Sequence, residues 1–228
     1  VTGTQDIGTG TRTALAQIAA EALAMPIDRV AVVLGDTGEG VYAPASAGSA
    51  TLATLGPAVR EAAAEAKRRG KGRAVRRKNR TDKAIRTCGA QAVEVEVDTA
   101  TGEIRVLRVA AAHDCGRIVN PLLVESQVLG GVTQGLGYAL SEARIVDDAL
   151  GRVLNPDLEA YRIQTVADVP RFAEAMHSMP DWDANGTGAK GVGEPPIIPT
   201  AAAVANAVFD AVGIRVRHLP IRREALLE

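Results

Sequence analysis

Apolar and polar positions alternate along this chain with two clear periods. From Thr11 to Leu23, apolar side chains fall at Leu15, Ile18, Ala19 and Ala22, the spacing of one helical face. Pro26 ends that pattern, and Val30–Leu34 follows as a run rich in β-branched residues that predicts a strand. Gly35–Ser49 is a loop of glycine, serine, proline and threonine. An alanine-rich helix is expected from about Thr51 to Lys67. Gln91–Asp98 (QAVEVEVD) switches to strict alternation, the mark of a half-buried strand, and Glu103–Ala112 returns after a turn to complete a long hairpin. Pro121–Leu140 reads as a helix despite Gly130, Gly131, Gly135 and Gly137. Each glycine there costs about 1 kcal/mol relative to alanine, so close packing or a ligand is expected against that face. Ala143–Leu154 predicts a second hairpin and Thr200–Val212 a final alanine-rich helix. Hairpins and short mixed sheets with alanine-rich helices packed on them make an α+β fold, expected as one domain over 1–228.

Composition narrows the function. Of 228 residues, 46% are hydrophobic and only 3% aromatic, with a formal net charge of −1. A near-neutral chain with few aromatics lacks both the global attraction and the stacking platforms that nucleic acid would need. The exception is Lys67–Arg80, with nine basic residues and no acid. No aromatic interleaves this run, so residues 67–86 are expected to be a solvated, poorly packed surface linker. No apolar run approaches the roughly 20 residues of a membrane span, and no membrane insertion is expected. No signal-peptide pattern follows Val1. The chain is therefore expected in the cytoplasm, or in the periplasm where a partner carries the export signal, and it reads as a piece of something longer.

Candidate chemistry lies in loops. Two glycine-rich turns, GTQDIGTG before Thr11 and Gly35–Gly48 before Thr51, lead into helices. Helix N-termini offer free amides to anions, so these turns are candidates to converge on one anionic ligand. Neither turn has the dinucleotide or P-loop pattern. His113, Asp114 and Cys115 lack a second ligand pair at zinc spacing, so no metal ligand is expected from protein side chains. In GAKGVGEPP, Glu194 stands among glycines and before two prolines that stiffen the chain. That setting suits a general base, and equally an exposed loop carboxylate.

GTQDIGTG, AAHDCGRIVNPLLVESQVLGGVTQGLGYAL and GAKGVGEPP occur here in that order. Together they resemble the molybdenum hydroxylases, the xanthine dehydrogenase and aldehyde oxidoreductase family. The similarity is to the C-terminal part of the molybdopterin-binding subunit, above all of bacterial aldehyde or isoquinoline oxidoreductases. The resemblance implies molybdopterin, as its cytosine dinucleotide, with molybdenum, and water-derived hydroxylation of an aldehyde or N-heterocycle. Glu194 would be the base, and it is expected to be buried among Gly193, Pro195 and Pro196. Gln5, Gly8, Thr9, Gly10, Ser46, Gly48, Ser49, Gln134 and Gly191 would contact the cofactor, with Gln134 sharing the cleft of the two turns. The same resemblance implies partners: the N-terminal half of the subunit, a 2Fe-2S subunit and an FAD subunit. It departs from the family at RRGKGRAVRRKNRTDK, which replaces a longer small-residue region, and at Thr9, where some relatives have Gln. A non-catalytic fragment or assembly module that keeps the fold is the alternative reading.

Overall fold

The computed structural model describes residues 1–76 and 82–227. The chain falls into two compact units, a division that the single-domain reading of 1–228 does not anticipate. The first comprises Val1–Cys88, His113–Gln127 and Met176–Pro195, and the second Gly89–Ala112, Val128–Ala175 and Pro196–Glu228.

In the first unit, α1 (Thr11–Leu23) packs on α2 (Thr51–Arg69). Ala14, Leu15 and Ile18 are buried on the predicted face of α1. Gly56 of α2 lets the helices approach, since a Cβ there would lie 3.1 Å from Ile18 Cδ1. Lys67, Arg68 and Arg69 form the last turn of α2 rather than a linker, where cations complement the helix dipole. Beyond Gly70 the chain folds back on that helix, because a Cβ on Gly72 would meet the Ala62 carbonyl. The described basic side chains from Lys67 to Arg76 are exposed as expected. Their continuation at 77–80 lies outside the described residues. The end of the expected linker is anchored, with Lys83 paired to Asp183 at 2.6 Å.

Val30–Leu34 is not a strand. Its one pairing is a parallel bridge between Leu34 and Thr2, with Thr2 N–H donating to the Val33 carbonyl at 3.0 Å. The β-branched residues favour extended backbone, but a strand also needs a partner of matching length, and the described chain supplies one residue.

The second unit holds a three-stranded sheet in the order β1-β2-β5, from β1 (Cys88–Asp98), β2 (Glu103–Asp114) and β5 (Arg171–Met176). Along β1, Val93, Val95 and Val97 turn inward while Glu94, Glu96 and Asp98 face out. Asp98 fixes the hairpin turn by accepting the Ala100 N–H at 2.8 Å. The second hairpin is small: β3 (Val146–Asp147) pairs antiparallel with β4 (Arg152–Val153). Helices α3 (Pro121–Leu140) and α4 (Thr200–Val212) contribute Val128, Val132, Leu136, Val204 and Val208 to the core, all at most 2% exposed. Gln91 of β1 ties to the start of α4, donating to the Pro196 carbonyl at 2.7 Å and accepting from Thr200 Oγ at 2.8 Å.

Among the described residues, Pro195–Val212 is long and apolar enough over 18 residues to be weighed as a membrane span, contrary to the sequence expectation. Its α-helical part has only 13 residues, about 20 Å at 1.5 Å per residue, against a hydrocarbon core of about 30 Å.

The glycines of α3 divide by environment. A Cβ on Gly135 would lie 2.4 Å from Thr200 Cβ and one on Gly131 2.7 Å from Pro196 Cβ, whereas Gly130 faces open space. Gly135→Ala is therefore expected to destabilise by about 1–3 kcal/mol through overpacking. Gly130→Ala is expected to stabilise by up to about 1 kcal/mol, the helix-propensity gain. Urea midpoints of the two variants should move in opposite directions.

Candidate functional site

Three loops of the first unit build one cleft. The initial turn is set by Asp6. Its carboxylate accepts the N–H groups of Gly8 at 3.1 Å, Gly10 at 3.2 Å and Arg12 at 3.1 Å. Gly8 (φ 96°) and Gly10 (φ 76°) take the left-handed backbone this wrap requires. Burial pushes the Asp6 carboxyl up, but amide donation from Arg12, Gly8 and Gly10 prevails and holds it below its ordinary value. The Gly8 and Gly10 amides of the turn and the Arg12 amide of α1, expected to be open to an anionic ligand, are thus taken by the protein's own carboxylate.

The neighbouring Gln5 joins this turn to the second loop. Its Oε1 accepts the Ser46 N–H at 3.0 Å, and Ser46 Oγ donates to the Gln5 carbonyl at 2.9 Å. The second loop then passes through Gly48 (φ 62°) and Ser49 (φ 54°) into α2.

The third loop carries Glu194. It is not buried as expected; the residue is exposed, at the rim of the cleft. The flanking prolines cannot enclose it, because Pro195 is itself only half-buried. Direction comes instead from the second loop. Gly48 N–H donates to Glu194 Oε1 at 3.2 Å, Ser49 Oγ donates to Oε2 at 3.1 Å, and Glu194 N–H donates to Ser49 Oγ at 2.7 Å. Gly191 makes the approach feasible, since a Cβ there would lie 2.4 Å from the Ser49 carbonyl oxygen.

Behind this loop lies an ion pair. Lys190, 9% exposed, places its ammonium on the Asp114 carboxylate and donates to the Arg86 carbonyl at 2.8 Å, with Asp181 at 3.7 Å. Burial works against the Lys190 charge, but Asp114 outweighs it and the ammonium is held above its ordinary pKa. Asp114 moves the other way: burial pushes its carboxyl up, while Lys190 and the Gly116 N–H bring it below its usual value. The backbone reinforces the pair, with Lys190 N–H donating to the Cys115 carbonyl and Arg117 N–H to the Gly188 carbonyl, both at 2.7 Å. Burial pushes the His113 imidazole down and the Cys115 thiol up, the latter helped by the Asp114 charge. At the start of α3, Asn120 accepts the Leu123 N–H at 3.0 Å, and Pro121 occupies the first helical position, where its missing N–H costs nothing.

The cleft between these loops has a volume of about 260 Å³. Thr9, Ser46, Gly48, Ser49, Gly191 and Glu194 of the sequence-predicted residues line it. Gln5, Gly8 and Gly10 do not; they shape the turn behind it. Gln134 is not among the lining residues either. It is exposed on the part of α3 that belongs to the second unit. Sequence reasoning missed Asp6, the Lys190–Asp114 pair, and Arg117 and Gln127 on the cleft wall. Only Asp6 left a local signal, an acid placed just before a helix start.

Polar side chains of Thr9, Thr11, Ser46, Thr51, Asn120 and Gln127 surround apolar ones from Ala14, Leu52, Leu123 and Val124. Ser46 Oγ donates to the Gln5 carbonyl, Asn120 to Gln17, and the Thr9 and Thr11 hydroxyls bond each other. Thr51 and Gln127 are the members of this set that fit the edge of a pterin ring, with the apolar side chains against its faces.

A pH prediction follows from Asp114. Its folded pKa lies below the unfolded value near 3.9, so its contribution to stability is complete above that value and is lost as pH falls through the folded one. Asp114→Asn is expected to cost about 1–3 kcal/mol at pH 7, below the usual cost of breaking a buried pair because Asp114 is 43% exposed. The gap from wild type should narrow below about pH 4, read from denaturation midpoints across pH.

Comparison with known proteins gives the same assignment as the motifs. The chain matches the molybdopterin cofactor-binding domain family over residues 1–85 and 70–170. It is 36% identical over 260 aligned positions to the aldehyde oxidoreductase molybdenum-binding subunit PaoC of Escherichia coli strain K12, covering 98% of this chain and 36% of that one. It is 41% identical over 140 positions to the xanthine dehydrogenase molybdenum-binding subunit of Escherichia coli O157:H7, covering 61% of this chain and 18% of the relative. Quinoline 2-oxidoreductase from Pseudomonas putida 86 superposes with a TM-score of 0.85 at 26% identity, over 98% of this chain and 36% of that structure. The chain thus spans about a third of the length of PaoC. With the fold, the ordered motifs and the family match in agreement, it belongs to the molybdopterin cofactor-binding domains of the molybdenum hydroxylase family.

Proposed function

We propose that this chain is the base-bearing part of a molybdenum hydroxylase that oxidises an aldehyde or an N-heterocycle. The observation that carries the reading is the carboxylate of Glu194 at the cleft rim, with each oxygen accepting one hydrogen bond from the loop that begins α2. A carboxylate so held accepts one bond at each oxygen, which leaves each a further lone pair and favours one orientation at the rim, as a general base requires. The cofactor, as its cytosine dinucleotide, supplies the redox chemistry when bound. Thr51 and Gln127 would hold its ring edge, and Gly191 and Gly193 would let the Glu194 loop lie close to it. Glu194 takes up the proton released as water-derived oxygen is transferred to the substrate. Arg117 is paired with Glu21 and Lys190 with Asp114, so neither competes for the Glu194 carboxylate.

The names of the relatives support the wider setting. They are molybdenum-binding subunits of an aldehyde oxidoreductase and a xanthine dehydrogenase, which supports further subunits as partners; that these carry the rest of the subunit, a 2Fe-2S cluster and FAD is what the motif resemblance implies. Turnover is accordingly expected of the assembled enzyme and not of these 228 residues alone.

In that assembly, Glu194→Gln preserves size while removing the base, and its amide nitrogen gives up one of the two accepted hydrogen bonds. Molybdenum content should be retained and turnover should fall by about 10²-fold or more. Near-normal turnover in a molybdenum-replete variant would contradict the assignment.

A further inference from the structure

Ser49 is a residue that the family resemblance places among the cofactor contacts, yet its hydroxyl is already spent on Glu194. Ser49 Oγ accepts the Glu194 N–H at 2.7 Å and lies 3.1 Å from Glu194 Oε2. A serine hydroxyl has one proton. With the Glu194 amide donating into it, that proton is directed to the carboxylate. One side chain therefore grips both the backbone and the acid group of the same residue. Ser49 makes this grip from left-handed backbone (φ 54°), a conformation unfavourable to a non-glycine residue. The Gly191 backbone passes so close that a Cβ there would lie 2.7 Å from Ser49 Cβ.

We infer that Ser49 is the positioning residue of Glu194, fixing its carboxylate at the cleft rim with a single hydroxyl rather than contacting the cofactor. The inference rests on the reading of Glu194 as the base. Ser49 and Gly48 each take one oxygen of the carboxylate, so the proton that Glu194 receives must settle on a lone pair turned away from both. The two loops thus have separate roles, residues 46–49 setting direction while Glu194 reacts.

Ser49→Gly and Ser49→Ala separate the hydroxyl from the backbone. Glycine relieves the left-handed conformation while alanine keeps its cost, but both lack the hydroxyl. In the full chain, amide exchange at Glu194 is expected to accelerate about tenfold or more in both variants, with α1 and α2 unchanged. In the assembled enzyme, kcat should fall by about 10- to 100-fold in both, the scale of a misplaced reacting group, while KM and molybdenum content hold. Unchanged Glu194 exchange in Ser49→Gly would overturn the clamp. Full activity in Ser49→Gly with loss only in Ser49→Ala would make the backbone, not the hydroxyl, the feature that matters. Loss of molybdenum from both variants would return Ser49 to the cofactor contacts and overturn the inference. Wild-type turnover in Glu194→Gln would remove the base reading, a result distinct from any of these because it is read in a protein that keeps Ser49.

Discussion

At Gly191 the backbone passes so close to Ser49 that a Cβ would fall 2.4 Å from the Ser49 carbonyl oxygen. The cleft depends on that approach. It brings the loop before α2 within hydrogen-bonding reach of Glu194, 145 residues away along the chain, and turns an exposed loop acid into an oriented one. Any side chain at position 191 would have to part the two loops, and the three bonds between residues 48–49 and Glu194 would part with them.

Such a contact needs a firm base, and Lys190 supplies it. An ammonium withdrawn from water is costly unless paired and hydrogen-bonded, and here Asp114, Asp181 and the Arg86 carbonyl surround it. The pair gives the chain just before Gly191 one position. The turn at Asp6 does the same on the other side, where an internal carboxylate satisfies helix amides that would otherwise seek water or a ligand. Burial and charge pairing lie behind the cleft, while its lining stays open and largely neutral. The arrangement presents one carboxylate at the rim of that cleft.

Much of this is legible in the chain. Helices α1 and α4 and the β1–β2 hairpin follow from local periodicity, which survives without knowledge of neighbours. Val30–Leu34 departs from its pattern because extended propensity is local while strand pairing is tertiary, and among the described residues its β-bridge is to Thr2 alone. The glycines of α3 announce close packing, but not that Gly135 meets Thr200 while Gly130 meets nothing. At the site, ordered motifs bring Ser46, Ser49, Gly191 and Glu194 into view together. They do not reveal that Glu194 is exposed, that Gln134 falls in the other unit, or that the Asp6 carboxylate occupies the helix amides. The Lys190–Asp114 pair joins residues 76 apart, and no local pattern marks two opposite charges as partners over that separation.

The most direct measurement is amide hydrogen exchange on the assembled enzyme with and without its molybdenum cofactor, followed segment by segment along this chain. Bound cofactor should slow exchange at the three segments that border the cleft, residues 5–11, 46–51 and 190–194, and leave the β3–β4 hairpin unchanged. Protection that appeared elsewhere in the chain while these three loops exchanged at the same rate in both states would contradict the account.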